Sequence, residues 1–261
     1  MGAPIRKHAK MRLAVLQASS PAGDPEAAIS ALALPLAAAG AAGAAMLVAP
    51  EIWLPGYNSD RIADLAQPRG GPWHQRLAAL CRHAGCALTV GYAERDGATV
   101  YNAAVTLDAQ GVEVAHYRKI QLYGPREHAI YAPGDAYTIF DLGGTRTALL
   151  ICYDIEFSPH VAALAAKGVR LILVPTANMA PFTHVVRFSV PAMAASQYLA
   201  IAYANFCGSE GDLTYVGGSQ IVGPEGGVLA IAGEGTAILI ADLPPLDVPP
   251  VYSMAADFRP V

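Results

Sequence analysis

A chain of 261 residues that is 54% hydrophobic and only 15% charged can bury a large core and leaves little polar sequence for a long disordered region. Its net charge of -4, with no basic block beyond Arg6–Lys10, excludes a nucleic-acid footprint. No apolar run is long enough for a membrane span, because Pro35, Gly40 and Gly43 interrupt the alanine-rich stretch from Ala31 to Ala49.

Strand-like and helix-like segments alternate along the chain. Residues 1–10 read as a solvated tail. Arg12–Gln17 is a first buried strand. Asp24 caps a helix that starts at Pro25 and runs to about Ala39. Ala45–Pro50 is a second strand. Pro72–Ala84 is a helix closed by Gly85, and Ala87–Tyr92 a third strand. Tyr101–Leu107 and Val112–Tyr117 flank a hairpin turn at Asp108–Gly111. Thr138–Asp141 and Arg146–Cys152 flank a second hairpin at Gly143-Gly144. Ser158 is expected to cap a helix over Pro159–Lys167, ahead of a strand at Arg170–Pro175. Val185–Gln197 reads as a helix kinked by Pro191, and Leu199–Asn205 as a strand. Three further strands follow: Gly218–Val222, Val228–Ala232 and Ala237–Asp242. The first two are joined by a hairpin at Gly223–Gly227. Pro244–Val261 is read as an extended arm. Helices between strands, mixed with hairpins, predict one α/β layered domain with mixed sheets.

The four cysteines, Cys81, Cys86, Cys152 and Cys207, show no CxxC pair and no metal-type spacing with histidine. They predict reduced thiols in a cytoplasmic protein. A Cys81–Cys86 bridge is disfavoured, since one lies on a helix and the other at the start of the next strand. The segment Leu13–Leu16 is too short for a secretory signal.

Three segments carry chemistry. Cys152 leaves an apolar strand into Tyr153-Asp154-Ile155-Glu156-Phe157, so its thiol can be held rigidly and still meet a substrate. The Tyr153 backbone N–H is placed to meet a developing oxyanion. The other reading is a buried, inert thiol, which is what Cys81, Cys86 and Cys207 resemble. Glu51 follows Leu47-Val48-Ala49-Pro50 and precedes an apolar lip, Ile52–Tyr57. An apolar wall raises a carboxyl pKa and suits a general base, although a salt-bridged carboxylate is the commoner role at a strand end. Lys119, after His116-Tyr117-Arg118, is either a solvated edge-strand charge or a fixed cation for an oxyanion. Glu127 is either a loop surface charge or a partner that orients Lys119 or a substrate nitrogen. Trp53, Tyr57, Glu156 and Asn178 are candidate pocket residues. His116, His128, His160 and His184 leave a Cys–His couple as a weaker rival.

Taken together, Pro50-Glu51, Tyr117-Arg118-Lys119-Ile120-Gln121-Leu122 and Ile151-Cys152-Tyr153-Asp154-Ile155-Glu156-Phe157 resemble the nitrilase superfamily of carbon–nitrogen hydrolases. Glu127 ahead of Pro133-Gly134, and Asn205, Gly218 and Ser219, fit its later segments. The resemblance implies a four-layer α-β-β-α sandwich and a homodimer or higher homo-oligomer. It implies Glu51 as general base, Lys119 as oxyanion stabiliser and Cys152 as nucleophile, with neither metal nor organic cofactor. Tyr after the nucleophile, where true nitrilases carry Trp, is similar to amidases. The implied substrate is a small aliphatic or amino-acid amide. N-carbamoyl amino acids or amines, nitriles, and a non-catalytic amide-binding relative are the alternatives. The sequence departs from the family at Phe157-Ser158-Pro159-His160, where Phe-Pro-Glu is usual. It departs again at Met193–Gln197, where Arg-Ala-x-Glu-Asn is usual. Both departures bear on subunit contacts and pocket support.

Overall fold

The computed structural model describes residues 11–246 together with Asp257 and Arg259. The tail expected at 1–10 and most of the arm expected over Pro244–Val261 lie outside the described residues. In the first half, β1 (Arg12–Gln17), α1 (Pro25–Ala41), β2 (Met46–Val48), α2 (Ile62–Leu65), α3 (Pro72–Ala84), β3 (Ala87–Asp96), β4 (Thr99–Leu107) and β5 (Glu113–Arg118) follow in order. Next come α4 (Gly124–Ile130), β6 (Ile139–Leu142), β7 (Thr145–Leu149), α5 (Ser158–Ala166), β8 (Leu171–Pro175), α6 (Val190–Gln197) and β9 (Ala200–Ala204). The last strands are β10 (Cys207–Glu210), β11 (Leu213–Val216), β12 (Gln220–Val222), β13 (Val228–Ile231) and β14 (Ala237–Asp242).

Two six-stranded sheets result, ordered β14-β1-β2-β3-β4-β5 and β13-β12-β9-β8-β7-β6. Each contains three parallel strands, β1-β2-β3 and β7-β8-β9, flanked by antiparallel ones. The period of two along a strand sorts the core. In β1, Leu13 and Val15 pack between the sheets with Met46, Val48, Leu149 and Leu173. Ala14 and Leu16 face the other way, onto Leu32 and Leu36 of α1 and Leu77 of α3. Both faces of the central strands are therefore buried, which is why they read as continuous apolar runs. Val161 and Leu164 of α5 and Val190 and Ala194 of α6 cover the second sheet. The architecture is an α-β-β-α sandwich of two mixed sheets.

Local chemistry explains the helix limits. Asp24 accepts hydrogen bonds from the N–H groups of Glu26 and Ala27, both at 3.0 Å, and Pro25 needs no donor in the first turn. Gly85 closes α3 at φ +62°, a left-handed conformation that a side chain disfavours. Several expectations need correction. Ser158 is the first residue of α5, and Phe157 occupies the cap without a side-chain bond. The segment after His184 is helical through Gln197 as expected, but its irregularity is a π turn ahead of Pro191 and not a simple kink. Val185–Ser189 forms a wider π turn, in which the Val190 N–H reaches the Val185 carbonyl. Pro191 follows directly in α6, and the Val186 carbonyl of the preceding turn accepts from Gln220 Nε2 at 2.8 Å. The β3–β4 and β10–β11 hairpins and α4 were not expected. All four cysteines are free, and among the described residues no helix is long and apolar enough to cross a membrane.

Candidate active site

The carboxyl ends of the parallel strands of both sheets meet, and the chain segments leaving them build one site, as is usual for open α/β sheets. The Glu51 N–H donates to the Thr176 carbonyl at 3.3 Å, tying the exit of β2 to that of β8. Glu51 sits three residues beyond β2 in a tight turn clamped to β3. The Gly91 N–H donates to the Pro50 carbonyl at 3.1 Å, and the Leu54 N–H to the Gly91 carbonyl at 3.3 Å. Only glycine fits at position 91, because a Cβ there would lie 2.5 Å from the Ile52 nitrogen and 2.6 Å from the Glu51 Cα. Gly91→Ala should therefore push the Glu51 turn off β3. Stability should fall by about 1–3 kcal/mol, as for other overpacked sites. The rate should fall roughly tenfold, since an ångström-scale misplacement costs up to about 10²-fold. Denaturant melts and steady-state kinetics check both.

Lys119 follows β5 directly. Its N–H donates to the Asn102 carbonyl at 2.8 Å, and its carbonyl accepts from the Gly134 N–H at 2.7 Å. The side chain is fully buried, so the solvated edge-strand alternative is wrong. Its ammonium donates to Glu51 Oε1 at 2.7 Å and to Glu127 Oε1 and Oε2 at 2.8 and 2.9 Å. Those contacts engage all three of its hydrogens. Glu127 is likewise no surface charge. It lies buried on α4, and it also accepts from the Tyr57 hydroxyl at 2.7 Å and the Tyr123 N–H at 2.8 Å. Burial opposes the Lys119 charge, but Glu127 and Glu51 outweigh it and raise its pKa well above the ordinary value. Glu51 shifts up too, mainly by burial and also through Glu127, while Lys119 and Asn102 pull it back. Asn102 Nδ2 donates to Glu51 Oε1 at 2.7 Å, and Glu51 Oε2 has no partner.

β7 ends at Leu149, three residues before Cys152, so the strand expected to reach the thiol stops short. Cys152 instead opens one turn of 3-10 helix, Cys152–Glu156, at φ +47°. A left-handed backbone at a non-glycine residue stores strain that the surroundings must hold. Asp154 does so. Its carboxylate accepts from the Ile151 N–H at 2.9 Å, the Tyr117 hydroxyl at 2.8 Å and the Gln121 N–H at 2.7 Å. That one side chain ties the Cys152 turn to the segment that carries Lys119. His160, in place of the usual acid, braces the same junction, with Nδ1 2.7 Å from the Tyr137 hydroxyl and Nε2 3.0 Å from Gln121 Nε2. The Cys152 thiol is pushed well up by burial and by the Glu51 charge, against Lys119, Thr176 and the backbone at Ala177. It therefore rests as a thiol and needs a base.

Cys152 lines a cavity of about 190 Å³, walled by Tyr57, Tyr123, Tyr153, Glu156, Asn178, Met179, Phe182 and His184. Tyr57, Tyr153, Glu156 and Asn178 thus stand at the cavity, as the sequence placed them. Trp53 does not. It is buried behind the site, stacked on Phe206 at 5.8 Å with Nε1 donating to the Ala28 carbonyl at 2.8 Å. The apolar lip folds inward there, because an indole gains more from burial than from lining a small cavity. Sequence reasoning missed Tyr123, Met179 and Phe182, which converge only in three dimensions. It also missed Asn102, although an Asn inside the apolar run Val100–Val105 was a signal. Asn205 fixes the Asn178 wall, accepting from the Asn178 N–H at 2.8 Å and donating to its carbonyl at 3.1 Å.

A thiol held on a strained turn beside a buried carboxylate–ammonium–carboxylate cluster defines the class of hydrolases that work through a covalent cysteine. The carbon–nitrogen hydrolase family matches residues 12–251. The chain is 42% identical over 203 residues to "Hydrolase in pqqF 5'region" of Pseudomonas protegens, covering 76% of this chain and 71% of that one. It is 36% identical over 191 residues to an (R)-stereoselective amidase of a Pseudomonas species, covering 72% and 69%. An amidase from Nesterenkonia sp. AN1, solved as a double mutant with acrylamide, superposes with a TM-score of 0.89 at 33% identity, covering 98% and 97%. Another structure of that amidase, at a TM-score of 0.88, 34% identity and 95% and 96% coverage, shows Michael addition of acrylamide at its active-site cysteine. The chain belongs to the carbon–nitrogen hydrolase family, in the amidase-like branch of the nitrilase superfamily. Its class of reaction is cysteine-dependent amide hydrolysis.

Proposed function

We propose that the protein hydrolyses a small primary amide to a carboxylic acid and ammonia, with Cys152 as nucleophile, Glu51 as general base and acid, and Lys119 as oxyanion donor. The observation that carries this reading is the buried Glu51–Lys119–Glu127 cluster beside a thiol that feels the charges of both Glu51 and Lys119. Glu51 takes the Cys152 proton as the sulfur attacks the amide carbon, and the carbonyl oxygen becomes an oxyanion. Glu51 then loses its charge, so its bond to Lys119 weakens. One ammonium hydrogen is released to the oxyanion, which the Tyr153 N–H also meets. Collapse expels the amine, which leaves as ammonia with the proton from Glu51, and a thioester remains. Water, deprotonated by Glu51, attacks the thioester. The acid departs and the thiol is restored. Glu127 stays paired with Lys119 throughout and holds it in place. The cavity of about 190 Å³ supports a small substrate.

The test is ammonia release from a panel of small amides and N-carbamoyl compounds, with carbon dioxide measured alongside. Ammonia without carbon dioxide supports the amidase reading, and both gases from the carbamoyl compounds alone would replace it. The pH profile offers a second check. Glu51 must be ionised to act as base, and its pKa lies above 4.5. The acid limb of kcat/KM should therefore fall away at a pH above 4.5, and Glu51→Gln should remove that limb. A limb centred at or below 4.5 assigns the base elsewhere.

A further inference from the structure

Glu156 ends the Cys152 turn and lines the cavity, yet it makes no hydrogen bond or ion pair with any described residue. The mechanism does not use it. A half-buried carboxylate without a hydrogen bond carries a desolvation cost that a bound cation relieves. Burial raises its pKa, with His184 and Lys119 pulling it back. Its neighbours match a cation as well. Tyr123 meets Tyr153 edge-to-face at 5.4 Å and Phe182 at 5.8 Å, so aromatic rings form one wall. Ring faces carry the negative part of a quadrupole and attract ammonium groups. Asn178 donates one Nδ2 hydrogen to the Phe182 carbonyl at 3.1 Å, which fixes its amide and leaves its oxygen able to accept. No lysine or arginine lines the cavity to receive an anionic substrate.

We propose that the substrate carries an ammonium group in addition to its amide, and that Glu156 is the residue that selects it. This inference rests on the amidase reading and narrows it to amino amides. The amide carbon lies at Cys152, and the substrate's ammonium points along the 3-10 turn to the Glu156 carboxylate. One such turn advances about 2 Å per residue, so the two ends of the site are a short carbon chain apart. Glu156 takes no proton and forms no bond with the reacting carbon. It is a specificity residue.

The experiment uses matched pairs of near-equal size: glycinamide with propionamide, β-alaninamide with butyramide, and 4-aminobutanamide with pentanamide. Wild-type protein should show a higher kcat/KM for the amino member of at least one pair, by about 10- to 100-fold, as expected for a hydrogen bond to a charged group. Glu156→Gln should collapse that ratio towards one, with the loss in KM rather than kcat. Because the ratio compares two substrates on the same protein, a general loss of folded enzyme cancels from it. Wild-type turnover of the neutral amides with no preference for the amino members would overturn the inference and leave the amidase reading standing. So would an unchanged ratio in Glu156→Gln. Absence of ammonia from every amide would sink the amidase reading itself, and this inference with it.

Discussion

Cys152→Ala should abolish amide turnover while the protein folds as before. The thiol is the nucleophile of the proposed mechanism, and it lines the cavity, so losing a sulfur there leaves no sealed void. Removing a nucleophile in a unit of this kind typically costs about 10⁶-fold. Intact mass follows the change as well as rate does. Wild-type protein given a slowly hydrolysed amide should gain the mass of the acyl group, and the variant should gain nothing. Iodoacetamide offers a control, because Cys81 and Cys86 are buried and burial pushes their thiols up to about 12 and about 11. Labelling should be fastest at Cys152, where Glu51 can take the proton. Retained turnover in the variant, or equal labelling of all four thiols, would falsify the covalent mechanism.

Lys119→Met should damage both rate and fold. Losing an oxyanion donor costs about 10²–10³ in kcat. The stability effect has a separate origin. Glu51 and Glu127 are buried, and Lys119 is the cation between them. Breaking a buried ion pair by removing one partner costs about 3–5 kcal/mol. The sign of its pH dependence follows. In the wild type the Lys119 pKa is raised above 10.5, so its contribution is fully present below 10.5 and is lost as pH rises through the folded-state value. In the variant Glu51 loses the cation that pulls its pKa back, so its folded-state pKa rises further above that of the unfolded chain. The variant should regain stability as pH falls, because protonated carboxyls need no counter-charge. Urea melts across pH read this directly. A variant as stable as wild type at neutral pH would show that the cluster is not the buried charge network described above.

Most of the layered fold was legible because its strands are buried on both faces. Leu13–Leu16 and Leu171–Val174 have no polar residue to hide, and the limits of α1 and α3 are written in Asp24, Pro25, Pro72 and Gly85. The hairpins at β3–β4 and β10–β11 were not legible, since their strands carry Glu94, Arg95, Ser209 and Glu210. Those side chains find partners or solvent that only the folded chain supplies. The π turn before α6 was equally hidden. It depends on where Pro191 falls relative to the preceding turn, not on composition.

Within the site, the sequence singled out Glu51, Lys119 and Cys152 as candidates, because together their three segments resemble the motifs of one family, while each residue alone left a bland reading open. Tertiary structure alone decided their state. Lys119 looks like a solvated charge and Glu127 like a loop residue until two carboxylates, an ammonium and a tyrosine hydroxyl close on one another away from water. Trp53 looks like a pocket wall until Phe206 and the Ala28 carbonyl draw it into the core. The physical reason is the same in each case. Burial, charge pairing and pKa belong to distances between segments far apart in the chain, and local sequence does not encode those distances.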